Sequence, residues 1–313
     1  MSSLLSVATQ VGSLFVLMAV GFACRKAKLF GDEAVKGMVD ILVVIVTPAL
    51  VLHVFQRPYE PSMLRGLVFV AAFALAGHLA AIILSTVLFR RGADPQSSVL
   101  RVASVFSNAG FMGIPLEQAI LGETGVFYGV VYVGVFNVVM WSWGYCTMRQ
   151  IPLGGLKGRA MLVNPGTVGL ALGLPVFFAS FTLPPVLHGP VGFLAGLNTP
   201  LAMIVIGYHL AGAKLGRVAA SADAWLAAAF RLLAYPLMMT GALALCAAPL
   251  AMDRTMMLAL VVSASAPVAA LTSMLAAKYG GDVDLSVGLV SGTTLLSIIT
   301  MPPVIALAMA VLG

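Results

Sequence analysis

Charge is what this sequence has least of. Only 9% of its 313 residues are Asp, Glu, Lys or Arg, against about 25% in a soluble domain. So sparse a complement excludes a charged, solvated surface, and with 61% hydrophobic residues the chain reads as an all-α polytopic membrane protein embedded in a lipid bilayer. Cysteine is also scarce: Cys24, Cys146 and Cys246 sit in or at the ends of apolar runs, with no metal-ligand spacing and no implied pair. There is no Walker-type phosphate loop, no HExxH and no GxSxG, and Ser291-Gly292 has no convincing histidine partner. Nothing supports an enzyme, a metal or a bound cofactor. The net charge of +6 does not point to nucleic acid, because the basic residues fall in short loops where they set orientation. No Asp or Glu is expected near the centre of a span, where a proton-coupled antiporter generally keeps one. Glu117, two residues past Pro115, is read as a solvated carboxylate approaching the outer surface.

What the chain does have is ten apolar segments of spanning length. They cover residues 4–24, 36–55, 64–89, 97–120, 124–148, 165–181, 190–213, 224–247, 255–277 and 285–311. No Lys or Arg precedes the first, whereas Arg25, Lys26 and Lys28 follow it, the charge order of a retained helix and not of a leader. Loops after odd-numbered segments hold thirteen basic residues, among them Arg90, Arg91, Arg149, Lys157, Arg159, Lys214 and Lys278. The opposite side holds three, Arg57, Arg65 and Arg254. This bias places both termini outside.

The glycine-containing loop over 151–164 divides the chain into a five-helix unit over 1–150 and a second over 165–313. Five is odd, so a duplicated second half is inverted in the membrane. Thr47-Pro48 matches Thr199-Pro200, Pro115 matches Pro267, and Gly21 matches Gly173, all at an offset of 152 residues. Spans four and nine are both interrupted near their centres, by Asn108, Gly110, Gly113 and Pro115 in one and by Ser263, Ser265 and Pro267 in the other. Proline removes an N–H and frees a carbonyl, and exposed helix ends at mid-membrane suit a carboxylate at the N-terminus and a small cation at the carbonyls. Kinked packing helices are the plain alternative.

Four further polar residues are candidate cation ligands in the spans: Thr47, Asn198, Thr199 and His78. Asn137 reads equally as a site residue and as an interhelical bond. Arg231 either snorkels to the cytoplasmic surface or faces the cavity as an anion-binding residue. Its offset partner is position 79, beside His78, so the two cations are expected to flank pseudo-equivalent sides of one site.

The pattern 108-NxGxxGxPL-116, with Asn137, the Arg231-to-Pro236 segment and Ala277-Lys278-Tyr279-Gly280-Gly281-Asp282, resembles the auxin efflux carrier family over nearly the whole chain. The resemblance implies ten transmembrane helices in two inverted five-helix repeats, with crossing broken helices 4 and 9. It implies a fold similar to bile acid sodium symporters and sodium/proton antiporters. Asn108, Gly110, Gly113 and Pro115 would then line the crossover from one side, and Pro267 with its flanking serines from the other. Bacterial members of that family are associated with malate, malonate and other organic anions, plant members with auxin. The expectation is a secondary transporter of small organic anions, working by alternating access in a bacterial inner membrane, with Na+ as the candidate coupling ion and a homodimer as the candidate assembly. The alternatives are a sodium-coupled symporter of a larger anion such as a bile acid, and a non-transporting membrane sensor or scaffold.

Overall fold

The computed structural model describes residues 2–90, 94–155, 165–213 and 215–313. Most of the expected 151–164 linker lies outside the described residues, as do Arg91, Lys157, Arg159 and Lys214. The described residues are almost entirely helical, as a bilayer demands of backbone that finds no water to bond. In chain order the helices are α1 Ser2–Lys26, α2 Asp32–Phe55, α3 Pro61–Leu88, α4 Pro95–Val105, α5 Ala109–Arg149 and α6 Pro165–Phe178. They continue as α7 Pro185–Leu210, α8 Ala222–Leu250, α9 Arg254–Ser265, α10 Leu271–Tyr279 and α11 Val283–Val311. Seven of them are long and apolar enough to cross a membrane. Large apolar side chains such as Val16, Val68, Ile83, Leu172, Phe193, Leu245 and Ile299 point outward, an exposed coat that water would not tolerate but acyl chains match.

α5 is two helical arms joined at Gly122, whose φ of +66° and ψ of −160° only glycine adopts readily. Expected spans four and five thus share one named helix, and Gly122 turns the chain between them. Proline shapes the interior of the others. Three π-helical turns, Leu42–Val46, Ala109–Gly113 and Phe230–Ala234, each end two residues before a proline, namely Pro48, Pro115 and Pro236. A ring without an N–H forfeits the regular bond at that turn, and the ladder re-forms with a longer step. The interruptions themselves fall slightly off their expected places. In span four the helix stops at Phe106, before both glycines, and in span nine it stops at Ala266, with regular helix resuming at Leu271.

Small residues set the closest helix approaches, since lipid gives no hydrophobic drive to bring helices together. A Cβ on Gly21 of α1 would lie 2.0 Å from the backbone oxygen of Ile204 in α7, and one on Gly207 of α7 would lie 1.8 Å from that of Met18. On the far side of α2, a Cβ on Gly173 of α6 would meet Val51 at 2.8 Å and Phe55 at 3.0 Å.

Candidate functional site

The two interruptions meet. Ser107 and Val268 face each other in an isolated antiparallel bridge. Asn108 N–H donates to the Pro267 carbonyl at 2.7 Å, and Ala269 N–H donates to the Phe106 carbonyl at 2.9 Å. Helix termination would leave these groups unpaired in a buried interior, at a cost of roughly 1–3 kcal/mol each; the two breaks satisfy one another instead. Thr293 Oγ1 of α11 accepts the Val268 N–H at 3.1 Å, so a third helix holds the junction.

Arg231 closes the ends of both entering half-helices. Its guanidinium donates from Nη1 to the Val105 carbonyl at 2.9 Å and the Ser104 carbonyl at 3.4 Å, the last turn of α4. From Nη2 it donates to the Ala264 carbonyl in the last turn of α9. Both are helix C-termini, where orphan carbonyls and the negative end of the dipole favour a cation. The ring of Tyr235, one turn on, lies 4.2 Å from the guanidinium carbon. Arg231 is fully buried, so it does not snorkel. Two of its nitrogens are engaged with backbone carbonyls, and its Nε has no hydrogen-bond partner among the described residues. His78 does gather on the same cluster, with its ring centroid 5.4 Å from that of Tyr132 and 6.5 Å from that of Tyr235. Its Nδ1 contacts the Ala74 carbonyl at 2.7 Å, and its Nε2 has no partner among the described residues. His78 and Arg231 are therefore neighbours around Tyr235.

On the α5 side, Asn108 holds the start of the helix: its carbonyl accepts from Met112 at 2.9 Å and Gly113 at 3.1 Å. The N–H groups of Ala109, Gly110 and Phe111 precede that first bond and point out of the helix start. The Asn108 side-chain amide forms no hydrogen bond among the described residues, and the residue keeps 6% exposure. Gly110 is open, its nearest neighbour Val133 at 4.0 Å, while Gly113 brings the backbone of Ser263 within 3.5 Å of where a Cβ would stand. Pro115 is buried.

Other expected residues are engaged elsewhere. Asn137 Nδ2 donates to Val133 in its own helix at 2.8 Å, Thr47 Oγ1 to Leu42 at 2.8 Å, and Ser265 Oγ to Val261 at 2.6 Å. Asn198 is buried with its amide nitrogen unpartnered among the described residues, and Thr199 is half-buried. Glu117 overturns its expectation altogether. It is fully buried, and its Oε1 accepts the Ser263 hydroxyl at 2.6 Å. A carboxyl therefore does lie inside the bundle. The signal was available in the spacing: Gly113 and Glu117 are four apart and share one helix face, the face that meets α9.

Comparison with known proteins gives a match in each part of the chain. Residues 6–157 match the membrane transport protein family, the group of the auxin efflux carriers. Residues 200–313 match the sodium bile acid symporter family. Each half matches a membrane-transporter family. Two relatives align over most of this chain. An "Uncharacterized transporter" of Methanothermobacter thermautotrophicus is 29% identical over 93% of this chain and 94% of its own. A "Putative malonate transporter" of Rhizobium meliloti is 24% identical over 92% of this chain and 91% of its own.

Proposed function

We propose that this transporter carries small carboxylates such as malonate or malate across a bacterial inner membrane, by alternating access around the junction of the two interrupted spans. The observation that carries the reading is the backbone pairing of Asn108 with Pro267. It sets two half-helix N-termini, at Ala109 and Leu271, beside an uncommitted amide. An anion gains there from unpaired N–H groups and from the positive ends of the dipoles, while Arg231 masks the negative ends. The relative named for malonate favours a small dicarboxylate over a bile acid.

The reading extends to architecture: ten spans in two inverted repeats, with helices four and nine crossing at the bridge. Helix packing supports it. Gly21 in span one lies on Ile204 in span seven, and its counterpart Gly173 in span six lies on Val51 in span two. A two-fold relation exchanging one with six and two with seven produces that pair of contacts. Counterflow of labelled malonate and malate in proteoliposomes, with and without a sodium gradient, tests the function. Uptake of the labelled acid against excess unlabelled acid inside is expected, and its absence for every small carboxylate rejects the reading.

A further inference from the structure

On the helical arm beyond the junction, α5 buries a carboxyl whose presence the transport reading does not use. Glu117 has no exposure, and it lies between the C-terminal half of α9 and the second arm of α5. Ser263 donates to Oε1; Oε2 has no hydrogen-bond partner among the described residues. The niche is shaped for it: a Cβ on Gly129 would sit 1.6 Å from Oε2, so only glycine leaves the carboxyl room.

The surrounding charges are engaged elsewhere. Along α9, Asp253 caps Met256 and Arg254 reaches the Met309 carbonyl, both at the helix's far end. On α3, Arg65 lines an outer vestibule with Tyr128, and His78 belongs to the Arg231 cluster. Glu123 of the α5 turn pairs with His53 of α2 at 3.3 Å. On α1 and α7, Arg25 and His209 lie in the last turns, with Tyr208 bonded to Asp32; Lys26 sits over Phe22. An isolated carboxylate buried without a cation is among the least tolerable groups in a protein, and it takes up a proton instead.

We propose that Glu117 is the coupling residue of this transporter, binding one proton for each carboxylate carried in the same direction. The proposal rests on the transport reading above. Glu117 lies on the same helical arm as the anion cradle, nine residues from Asn108, or roughly 13 Å along the axis. An ionised Glu117 would oppose the bound anion, and at that distance in an effective dielectric near 20 the repulsion lowers affinity about tenfold. The neutral acid removes it. Proton and anion thus favour each other's binding, by the same factor in either order. In the cycle, water at one face delivers a proton to the Glu117 carboxylate, and the carboxylic acid returns it to water at the other.

Glu117→Gln tests this, because the amide keeps the shape and accepts from Ser263 while holding no proton. Three measurements belong together: counterflow of labelled malonate, its accumulation driven by an imposed pH gradient, and the infrared band of a protonated carboxyl in the purified protein. The parent is expected to show all three, and Glu117→Gln to keep counterflow while losing the carboxyl band and the gradient-driven accumulation. Counterflow in the parent without response to a pH gradient overturns the coupling and leaves the transport reading standing. Gradient-driven accumulation that survives in Glu117→Gln overturns the assignment to this residue. No counterflow in the parent overturns the transport reading and the coupling with it. Should Glu117→Gln not fold, Gly129→Ala, which crowds the same carboxyl, is expected to shift the pH at which the parent's infrared band disappears, and an unmoved band rejects the niche.

Discussion

Arg231 and Ala264 are joined by a hydrogen bond from guanidinium to carbonyl, while the same guanidinium holds Val105 at 2.9 Å. One side chain of α8 thereby ties together the ends of two half-helices from different halves of the chain. Both carbonyls belong to helix ends that cannot be completed by backbone. Removing the side chain leaves them unpaired in a buried setting, and at roughly 1–3 kcal/mol for each carbonyl Arg231→Ala is expected to lose about 2–6 kcal/mol. Arg231→Lys keeps the charge but lacks the planar fork that reaches two carbonyls at once, so it should fall between. Thermal unfolding of purified protein gives the order parent, Lys, Ala, with the malonate Kd of the Lys variant within about threefold of the parent. A Kd raised a hundredfold at parental stability would instead place the guanidinium on the substrate.

The glycine contact between α1 and α7 gives a sharper structural prediction. A methyl at Gly21 would stand 2.0 Å from the Ile204 oxygen, and a backbone atom cannot swing aside as a side chain would. Gly21→Ala is expected to destabilise by roughly 1–3 kcal/mol. Gly12, on the same helix with nothing within 4 Å of an added methyl, is the control: Gly12→Ala should be neutral or stabilising by roughly 0.5–1 kcal/mol. Thermal melts of the two variants in the same detergent compare them directly. Equal effects would mean that helices one and seven are not held at this distance.

Much of the fold was legible because apolar length and loop charge are read directly from composition, and each expected segment is helical in the structure. The interruptions were legible too, since Gly110, Gly113, Pro115 and Pro267 announce them. Their positions were off because a π turn absorbs the defect before Pro115 and lets the helix run through both glycines, so the true break falls at Phe106, which carries no breaking residue. Arg231 was visible as an intramembrane cation but its role was not: its partners are carbonyls 126 and 33 residues away, and no local pattern marks a carbonyl. Glu117 was misjudged by assigning depth from distance past Pro115, when helix face decides. Gly113 and Glu117 share the face that α9 covers.

The orientation in the membrane rests on the basic residues, and exposed positions near the helix ends allow a direct check. Single cysteines replacing Glu60 or Arg254, in a background without Cys24, Cys146 and Cys246, are expected to react with an impermeant thiol reagent added to intact cells. Cysteines replacing Lys28 or Lys278 should react only after permeabilisation. All four side chains are exposed, so burial does not confound the comparison. The reverse pattern would invert the whole assignment, and a mixed pattern would break the ten-span count.

The last prediction concerns Asn108, whose amide is the uncommitted polar group at the helix start. An amide both donates and accepts, so it suits a carboxylate through its NH₂ or a cation through its oxygen. Aspartate retains shape and acceptors but loses the donor and adds a negative charge. As an anion ligand, Asn108 is expected to tolerate serine with about tenfold weaker binding, the loss of a hydrogen bond worth roughly 1.5 kcal/mol, and to lose malonate binding altogether as aspartate. As a sodium ligand it would behave oppositely, since a carboxylate suits a hard cation and Asn108→Asp would keep or tighten the ion. Ligand-induced shifts in Tm distinguish these, because only binding to the native state raises it. Malonate should raise Tm in the parent, less in Asn108→Ser and not in Asn108→Asp. Should both variants respond to malonate and to sodium as the parent does, the amide touches neither, and the residue serves only to start the helix through its carbonyl bonds to Met112 and Gly113.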